Sequence, residues 1–440
     1  MTSRSKRIAI PAVVAGALGL GAGAIAQAAD PTADQLMQQI QELQTKVQQL
    51  EAKQQTQSAA TAQQVDATVQ QVLQDAEKRS QLLQMEGFTA GYSKGRFTIQ
   101  DASGNWVLRP SLEFQFRGVA SYRDGGNTTD TDKEKGFEVS RMAFGFDGVA
   151  CTPNLTYLFQ WNTDTDGSVA LERAYVRYAF NDTMAIQAGQ FRNPVFHEQD
   201  IGRTTQLAVD RSMANALITG VNEAETQAVE FQFEPMNTLS VRIGAEDGFA
   251  SGNSDFTDPS SGGNYDWGLY GRVNFFVMGT KAAYNDFSAV GDKGALLVIG
   301  GGVDLSQTGS FNDYLHTIDV QWETGNLGVY AAYLGDYQDG SGDSNYNRGF
   351  LIQAGYMVTP SWEVFGRWDY TKLDESTLGA SEFCEITLGV NWYMCAEHNV
   401  KMTIDGVWLP NGCPTDLRSL GILASDDQEF ILRAQFQLLL

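Results

Sequence analysis

Apolar and polar residues alternate over much of the chain, most regularly between residues 171 and 190. There the sequence LERAYVRYAFNDTMAIQAGQ has an apolar side chain at nearly every second position on both sides of Asn181-Asp182. A period of two places successive side chains on opposite faces of a strand. The pattern predicts two antiparallel strands joined by a tight turn, with one apolar face and one face of arginine, glutamine and small residues.

The same unit recurs to the last residue, and no helical period interrupts it after residue 106. From Val107 we predict sixteen strands, at 107–122, 136–148, 154–163, 168–180, 183–192, 225–234, 237–247, 265–278, 294–304, 313–324, 326–337, 347–358, 361–371, 382–394, 397–409 and 428–440.

The predicted connections alternate in length. Those after odd-numbered strands are mostly long, including 123–135, 193–224, 248–264, 372–381 and 410–427, and those after even-numbered strands are mostly tight, including 181–182, 235–236, 325, 359–360 and 395–396. Short turns at one rim and long loops at the other are typical of outer-membrane barrels. The connection 279–293 is the exception. An extra strand at 281–288 would make the count odd, and we therefore expect an extended turn.

The phase of the alternation sorts the charges. When the apolar side of each strand is taken as outward, the inward side carries basic residues that are candidates to line a pore: Arg141, Arg173, Arg177, Arg242, Arg272, Arg367, Lys401 and Arg433. A charge on the lipid face at mid-membrane costs about 2–4 kcal/mol, so a lipid-embedded barrel requires this sorting. We predict an all-β membrane protein, a 16-stranded antiparallel transmembrane β-barrel.

The chain before the barrel has three predicted parts. Residues 1–28 combine a basic start, an apolar run and Ala-Gln-Ala, which indicates a secretory signal peptide rather than a membrane anchor. Within 29–85, apolar residues recur at spacings of 4 and 3 from Leu36 to Leu50 and again from Val65, which favours a periplasmic coiled coil; a glutamine-rich disordered linker is the alternative. Residues 86–106 form a short polar segment leading into the barrel at 107–440.

Composition narrows the class further. The formal net charge is −23, and it becomes −26 without the three basic residues of the signal peptide. Such an acidic chain suggests no nucleic-acid partner. The longest later apolar run is about ten residues, at 294–303, which is too short for a membrane helix. A closed barrel is therefore the only way for this chain to cross a membrane.

The longest connection, 193–224, is the candidate constriction. It and the residue before it contain Arg192, His197, Glu198, Asp200, Arg203, Asp210 and Arg211. Folded into the lumen, such a loop would narrow the pore and its charges would set the local field; the alternative is a loop that covers the mouth. Three basic and three acidic residues within 192–211 cancel, which predicts weak ion selectivity.

Enzyme chemistry has little support. Only three histidines are present, none has a serine pattern beside it, and no zinc spacing or phosphate loop occurs. The acidic clusters at 162–167 and 336–347 lack the spacing of a calcium-binding EF-hand. We expect no catalytic residue, metal or cofactor. Cys384 and Cys413 fall on the outer side of neighbouring strands, which predicts one disulfide, unless Cys384 faces lipid with Ile386; Cys151 and Cys395 lie too far apart for another.

Three segments resemble the phosphate-selective porin O/P family: GFEVSRMAFGFDG (136–148), LERAYVRYAFNDTMAIQAGQF (171–191) and RNPVFHEQDIGRTTQLAVDRSMAN (192–215). The resemblance implies a sixteen-stranded, usually trimeric pore whose third loop folds inward. This chain departs from the family's lysine cluster, because inward acids interleave with its arginines. The resemblance therefore supports a porin, without a phosphate ligand set.

Together these patterns predict a porin in the outer membrane of a Gram-negative-type (diderm) bacterium. Small hydrophilic solutes or ions, with anions and phosphate among the candidates, would diffuse passively through the barrel. The expected partners are membrane lipid, two further copies in a homotrimer, and the barrel-assembly machinery, which would recognise the terminal strand 428–440. The alternative is a structural anchor, in which the coiled coil contacts the cell wall.

Overall fold

A computed structural model describes residues 37, 41–52, 69–71, 87–93, 96–123, 133–163, 167–220, 224–253, 265–291, 294–340, 344–374, 381–395 and 398–440. The chain divides into two units, residues 1–82 and 83–440. In the first unit, residues 41–52 form helix α1, on which Leu43, Val47 and Leu50 are exposed. The predicted signal peptide and most of the two heptad runs lie outside the described residues.

The second unit is a single antiparallel sheet of eighteen strands. In chain order they are β1 (Phe88–Ser93), β2 (Arg96–Asp101), β3 (Val107–Arg123), β4 (Lys133–Ala150), β5 (Thr152–Thr163), β6 (Val169–Ala179), β7 (Met184–Arg192), β8 (Glu225–Met236), β9 (Leu239–Glu246), β10 (Trp267–Met278), β11 (Leu296–Thr308), β12 (Phe311–Thr324), β13 (Leu327–Asp339), β14 (Ser344–Thr359), β15 (Trp362–Lys372), β16 (Glu382–Tyr393), β17 (Val400–Leu409) and β18 (Glu429–Leu439).

Strands β3–β18 close into a barrel. Each strand pairs with the next in the chain, and β18 returns to β3 in a register that runs from Glu429 opposite Arg123 to Leu439 opposite Glu113. Closure leaves no unpaired sheet edge, as a lipid environment requires. The prediction of a 16-stranded antiparallel barrel is confirmed.

The connections mostly alternate as predicted, with exceptions on both sides of β11. The described part of the predicted extended turn contains no strand; instead, it includes the short helix α4 (Lys281–Tyr284). The predicted gap 305–312 is wrong, because β11 and β12 continue to Thr308 and Phe311 and leave only Gly309-Ser310 between them. Gly309 takes up the turn with a φ of 58°, which glycine adopts without strain.

The segment before the barrel forms a hairpin that the sequence did not indicate. Strands β1 and β2 pair with each other, and β2 joins the start of β3 through Ile99 opposite Leu108. At the same rim the backbone of Leu440 bonds with that of Leu112. Arg96 of the hairpin forms an ion pair with Asp147 of β4, which also binds Arg109 at 2.8 Å.

The two faces of the barrel differ as the phase predicts. Large apolar side chains such as Phe144, Phe231, Trp362 and Trp392 are exposed on the outside. The inside is rich in buried charged and amide groups, which pair with one another or with residues of the connection after β7. Among the described residues, no helix is both long and apolar enough to span a membrane.

Candidate functional site

The described part of residues 193–224, hereafter the inward segment, lies inside the barrel. It bonds to strands that are distant around the wall: Arg203 to Glu113 of β3, His197 to Gln321 of β12, and the Val209 amide to Asp405 of β17. A loop lying over one mouth would not reach lumen-facing groups of so many strands. The structure therefore supports the inward loop and excludes the alternative of a cover over the mouth.

Local interactions give the segment its shape. The Asn193 amide donates to the Ala224 carbonyl at 2.8 Å, so the two ends of the segment lie side by side. The segment contains α2 (His197–Asp200), a single 3-10 turn (Arg203–Thr205) and α3 (Met213–Thr219). Ser212 caps α3 by accepting from the Asn215 amide, and Gly220 ends the helix with a left-handed φ of 71°.

Asp210 is the main electrostatic contact of the segment with one side of the wall. Its carboxylate lies 2.6 Å from Arg117 Nη1, 3.1 Å from Arg141 Nη1 and 3.5 Å from Arg433 Nη1. Burial opposes its charge, but attraction to the three arginines outweighs burial, and the pKa of Asp210 lies below its ordinary value. Asp210 is therefore a buried anion that joins β3, β4 and β18 to the segment.

The neighbouring wall strands β15–β17 bind mainly the backbone of the segment. Lys401 Nζ donates to the Gln206 carbonyl at 2.9 Å, and Arg367 Nη1 donates to the Asp210 carbonyl at 2.8 Å. Glu385 Oε2 accepts from the Met213 amide at 2.8 Å. Helix α3 packs its buried apolar residues against β13–β16. The segment thus fills the lumen beside these strands.

Two cavities lie between the described residues on the side of β3–β6. The long-loop cavity, of about 670 Å³, is lined by Arg117, Lys135, Arg141, Arg203 and Arg418 and by Glu134 and Glu138, among others. The short-turn cavity, of about 260 Å³, is lined by Arg96, Glu113, Arg173, Thr204 and Leu440, among others. Arg203 Nε lies 2.6 Å from Glu113 Oε1, so this ion pair separates the two cavities.

The cavity linings are positively charged. Together they contain seven basic and three acidic side chains, a net charge of +4. The inward segment contributes Arg203 to this lining, whereas Asp210 lies behind it against the arginines. The balance of three basic and three acidic residues in 192–211 therefore does not describe the charge of the cavity linings.

A second connection enters the lumen from the short-turn rim and meets the inward segment. Tyr284 of the 279–295 connection stacks on His197 with ring centroids 3.9 Å apart and an interplanar angle of 8°. Thr205 donates its hydroxyl to the Asn285 carbonyl at 3.3 Å. The His197 Nε2 atom lies 2.8 Å from Gln321 Oε1. His197 is thus the point where α2, the 279–295 connection and the wall meet.

Acidic pH is expected to weaken the docking of the inward segment. Burial, followed by the charge of Arg272, lowers the pKa of His197 to about 4, although Asp319, Gln321 and Asp200 oppose this shift. A released His197 would take up a proton below about pH 6.5, and the docked one only near pH 4. The free energy of docking is therefore most favourable above pH 6.5. It becomes about 3 kcal/mol less favourable as the pH falls from 6.5 to 4.

Limited proteolysis of the folded protein at pH 7.5 and pH 4.5 checks this expectation, with cleavage within 193–224 as the readout. His197→Phe keeps a ring against Tyr284 but has no titratable group, and it should abolish most of the pH dependence. An equal pH dependence in wild type and variant would assign it to other groups.

The remaining predicted site residues have structural partners. Arg211 Nε donates to the Glu198 carbonyl at 2.9 Å and Glu198 accepts from Ser212, so both stabilise the segment itself. Asp200 binds Arg242 at 2.9 Å. Arg192 lies 3.8 Å from both Glu172 and Glu225.

Of the eight basic residues predicted to line a pore, Arg141 and Arg173 face the cavities. Arg177 donates to Gln232 at 2.7 Å. Arg272 binds Asp319 and Arg433 binds Asp405, each at 2.8 Å, and both arginines are covered together with Arg367 and Lys401.

The predicted Cys384–Cys413 disulfide is not formed, and all four cysteines, each within the described ranges, are free. Cys384 belongs to the outward row of β16, in phase with Leu388. Cys413 is fully buried in an apolar cluster with Leu409 and Ile431. The predicted strands place both residues near the same rim but do not show that the two side chains lie on opposite sides of the wall.

Other lining residues were missed. Arg117 follows the outward residues Phe114 and Phe116, so the phase of β3 would have assigned it to the lumen. Arg96 and Arg418 lie outside the predicted strands, and no periodic signal marks them. Among the described residues, no group of three or more His, Cys, Asp or Glu side chains is placed to hold a metal ion.

A closed sixteen-stranded barrel with an inward loop and a charged lumen defines the class of outer-membrane porins. The family model of phosphate-selective porins O and P matches residues 112–409. The chain belongs to this family, which confirms the resemblance and places the protein in the outer membrane of a Gram-negative bacterium. The family and the fold are those of channel proteins.

Solved structures agree on the fold. The anion-selective porin of Comamonas acidovorans has a TM-score of 0.55 at 10% identity, covering 76% of this chain and 99% of its own. Salmonella typhi OmpF in complex with daunomycin has a TM-score of 0.53 at 12% identity, covering 76% of this chain and 98% of its own. The high-pH structure of Pseudomonas putida OprB has a TM-score of 0.52 at 8% identity, covering 76% of this chain and 94% of its own. A comparison with curated proteins finds no significant match.

Proposed function

We propose that this porin conducts small hydrophilic solutes with a preference for anions, and that the inward segment narrows the passage. The path follows the β3–β6 side of the lumen, through the long-loop cavity and past the Arg203–Glu113 pair to the short-turn cavity. The observation that carries the proposal is the positive lining of both cavities. In a narrow lumen with low-dielectric walls, lining charges act on a passing ion more strongly than the distant loop charges, which salt screens beyond about 8–10 Å.

No bond is made or broken in this mechanism. Arg418 and Lys135 lie in the long-loop cavity and would attract anions there. Arg117 and Arg141 are partly neutralised by Asp210 and Glu138. Because these pairs reduce the free positive charge, we expect a moderate anion preference and no tight phosphate site.

Reversal potentials in a tenfold KCl gradient across planar bilayers test the proposal. Wild type should show the sign of an anion-preferring pore. Lys135→Glu with Arg418→Glu lowers the lining charge from +4 to 0 and should remove most of the preference. Lys281→Glu lies outside both cavities and serves as the control. A wild-type potential near zero or of cation sign, or block by micromolar phosphate, would contradict this assignment.

We also propose that the protein forms a homotrimer and is assembled through its terminal strand. The exposed stripe of Leu43, Val47 and Leu50 on α1 supports association between copies. Phe430, Leu432 and Leu440 give the chain end the exposed apolar side that an assembly machinery could recognise.

No contact in the described part of the chain favours the alternative of an anchor to the cell wall. Deletion of residues 30–84 distinguishes the two functions. A porin keeps its conductance after the deletion, whereas an anchor conducts little and loses its hold on the envelope.

A further inference from the structure

The outer wall of the barrel carries an apolar groove of about 670 Å³ across β9–β12, on the face turned away from the lumen. Gly271 and Gly301 form its floor, where the absence of side chains lowers the surface. Its sides are the exposed residues Ile243, Val273, Ile299, Val303 and Ile318. In a membrane such a depression is in contact with the hydrocarbon of the bilayer.

A row of polar side chains begins at the edge of the groove. In the sheet register Val303 lies opposite His316, His316 opposite Gly335, Gly335 opposite Arg348, and Arg348 opposite Lys372. The row therefore runs from the groove across β12–β15 at one level of the strands. The ring of His316 lies over Gly335, where any Cβ atom would overlap it.

Tyrosines complete the row. The Tyr346 hydroxyl lies 3.1 Å from His316 Nε2 and also bonds to the Tyr333 hydroxyl. The row points outward, because Phe350 and Trp368, which share its phase on β14 and β15, are exposed, whereas the intervening Leu351 and Asp369 are buried. Arg348 is the fifth residue of β14 and Lys372 the last of β15, so both lie near the rim with the long loops.

Two bases directly opposite each other on a sheet repel. Among the described residues, Lys372 pairs with the carboxylate of Glu382 at 3.1 Å, and the charge of Arg348 also acts on this carboxylate. A further anion bridging Arg348 and Lys372 would offset the repulsion. The position of the two bases indicates a lipid headgroup as the source of that anion. Headgroups lie at this level of an outer-membrane barrel, and acyl chains lie below it.

We propose that this surface binds an outer-leaflet lipid with a phosphorylated headgroup. Arg348 and Lys372 contact the phosphate through charge-assisted hydrogen bonds, and His316 and Tyr346 contact neighbouring polar groups. An acyl chain lies in the groove over Gly271 and Gly301. The basic row beside the groove favours this occupant over a second copy of the chain. The assignment concerns the outside of the barrel and is independent of what passes through the lumen.

Native mass spectrometry of the full chain folded in detergent tests the assignment, with added diphosphoryl lipid A, dephosphorylated lipid A or phosphatidylethanolamine. Wild type should prefer the diphosphoryl form. Arg348→Gln with Lys372→Gln should weaken that binding about tenfold or more and leave the dephosphorylated lipid unaffected. Lys133→Gln with Lys281→Gln, which removes equal charge elsewhere, should bind like wild type.

Filling the groove tests the acyl-chain part. Gly271→Leu with Gly301→Leu should weaken all three lipids, and the added Cβ atoms would lie 3.9 Å and 3.4 Å from the nearest wall atoms, so folding should persist. Heat-modifiable gel mobility checks folding, and Gly301→Ala is the milder variant. Unchanged lipid A binding in the Arg348/Lys372 variant would overturn the assignment. A change from trimer to monomer at unchanged lipid binding would instead identify the surface as a subunit interface.

Discussion

Replacing Asp210 by alanine is expected to release the inward segment from β3, β4 and β18. The substitution removes the carboxylate within 3.5 Å of three buried arginines, Arg117, Arg141 and Arg433. Removing one partner from a buried charge cluster costs about 3–5 kcal/mol, because the remaining charges stay desolvated without compensation. We therefore expect faster proteolytic cleavage between residues 203 and 211 and noisier, larger single-channel currents.

Asp200→Ala is the matched control for Asp210→Ala. Asp200 belongs to the same segment but binds a single arginine, Arg242, at 2.9 Å and is partly exposed. Its loss should cost less and leave the currents close to those of wild type. Equal protease sensitivity of the two variants would show that Asp210 does not hold the segment against the wall.

Removing the Arg203–Glu113 pair is expected to join the two cavities into a wider passage. Arg203→Ala with Glu113→Ala deletes both side chains that meet between the cavities, and Glu172 is the carboxylate that loses its contact with Arg203. Single-channel conductance in 1 M KCl should rise about twofold or more, because the narrowest section of a pore dominates its resistance. The anion preference should fall modestly, because the net charge of the lining stays at +4 while the passage becomes wider.

The single variant Arg203→Ala distinguishes the effect of pore width from the effect of lining charge. It leaves Glu113 and Glu172 without their contacts to Arg203, at 2.6 Å and 3.1 Å, and should shift selectivity toward cations. Arg177→Ala, which removes an inward base bonded to Gln232 away from this pair, is the control for loss of a single arginine. An unchanged conductance in the double variant would mean that the path narrows elsewhere.

The charged side chains inside the barrel fall into two groups with different roles. Arg272, Arg367 and Arg433 lie under or beside the inward segment and pair with Asp319, Glu385 and Asp405. Burial removes them from contact with a solute, and their role is to hold strands and segment together. The charges at the surface of the two cavities are a smaller and more positive set. This division explains how a chain with a net charge of −23 can have cavities with a basic lining.

The sequence by itself determined the barrel. The number of strands, the closure of the barrel and the outward or inward direction of each side chain follow from a period of two and from the alternation of short and long connections. In lipid, unpaired backbone groups and outward charges cost free energy, which disfavours other arrangements. It also identified 193–224 as the longest connection and the candidate constriction, and it assigned Arg141 and Arg173 to the inside of the barrel. These are local or regular properties, and one strand at a time is enough to detect them.

Only the tertiary structure decided which charges meet. Asp210 was counted against Arg203 along the chain, yet Asp210 lies behind the lining with arginines of three distant strands, and Arg203 faces the cavities with Glu113. The hairpin at 88–101, which brings Arg96 to the short-turn rim, has no periodic signal. Cys384 and Cys413 share a rim but not a side of the wall. Such pairings depend on how an aperiodic segment packs across a closed wall, and linear spacing does not encode that packing.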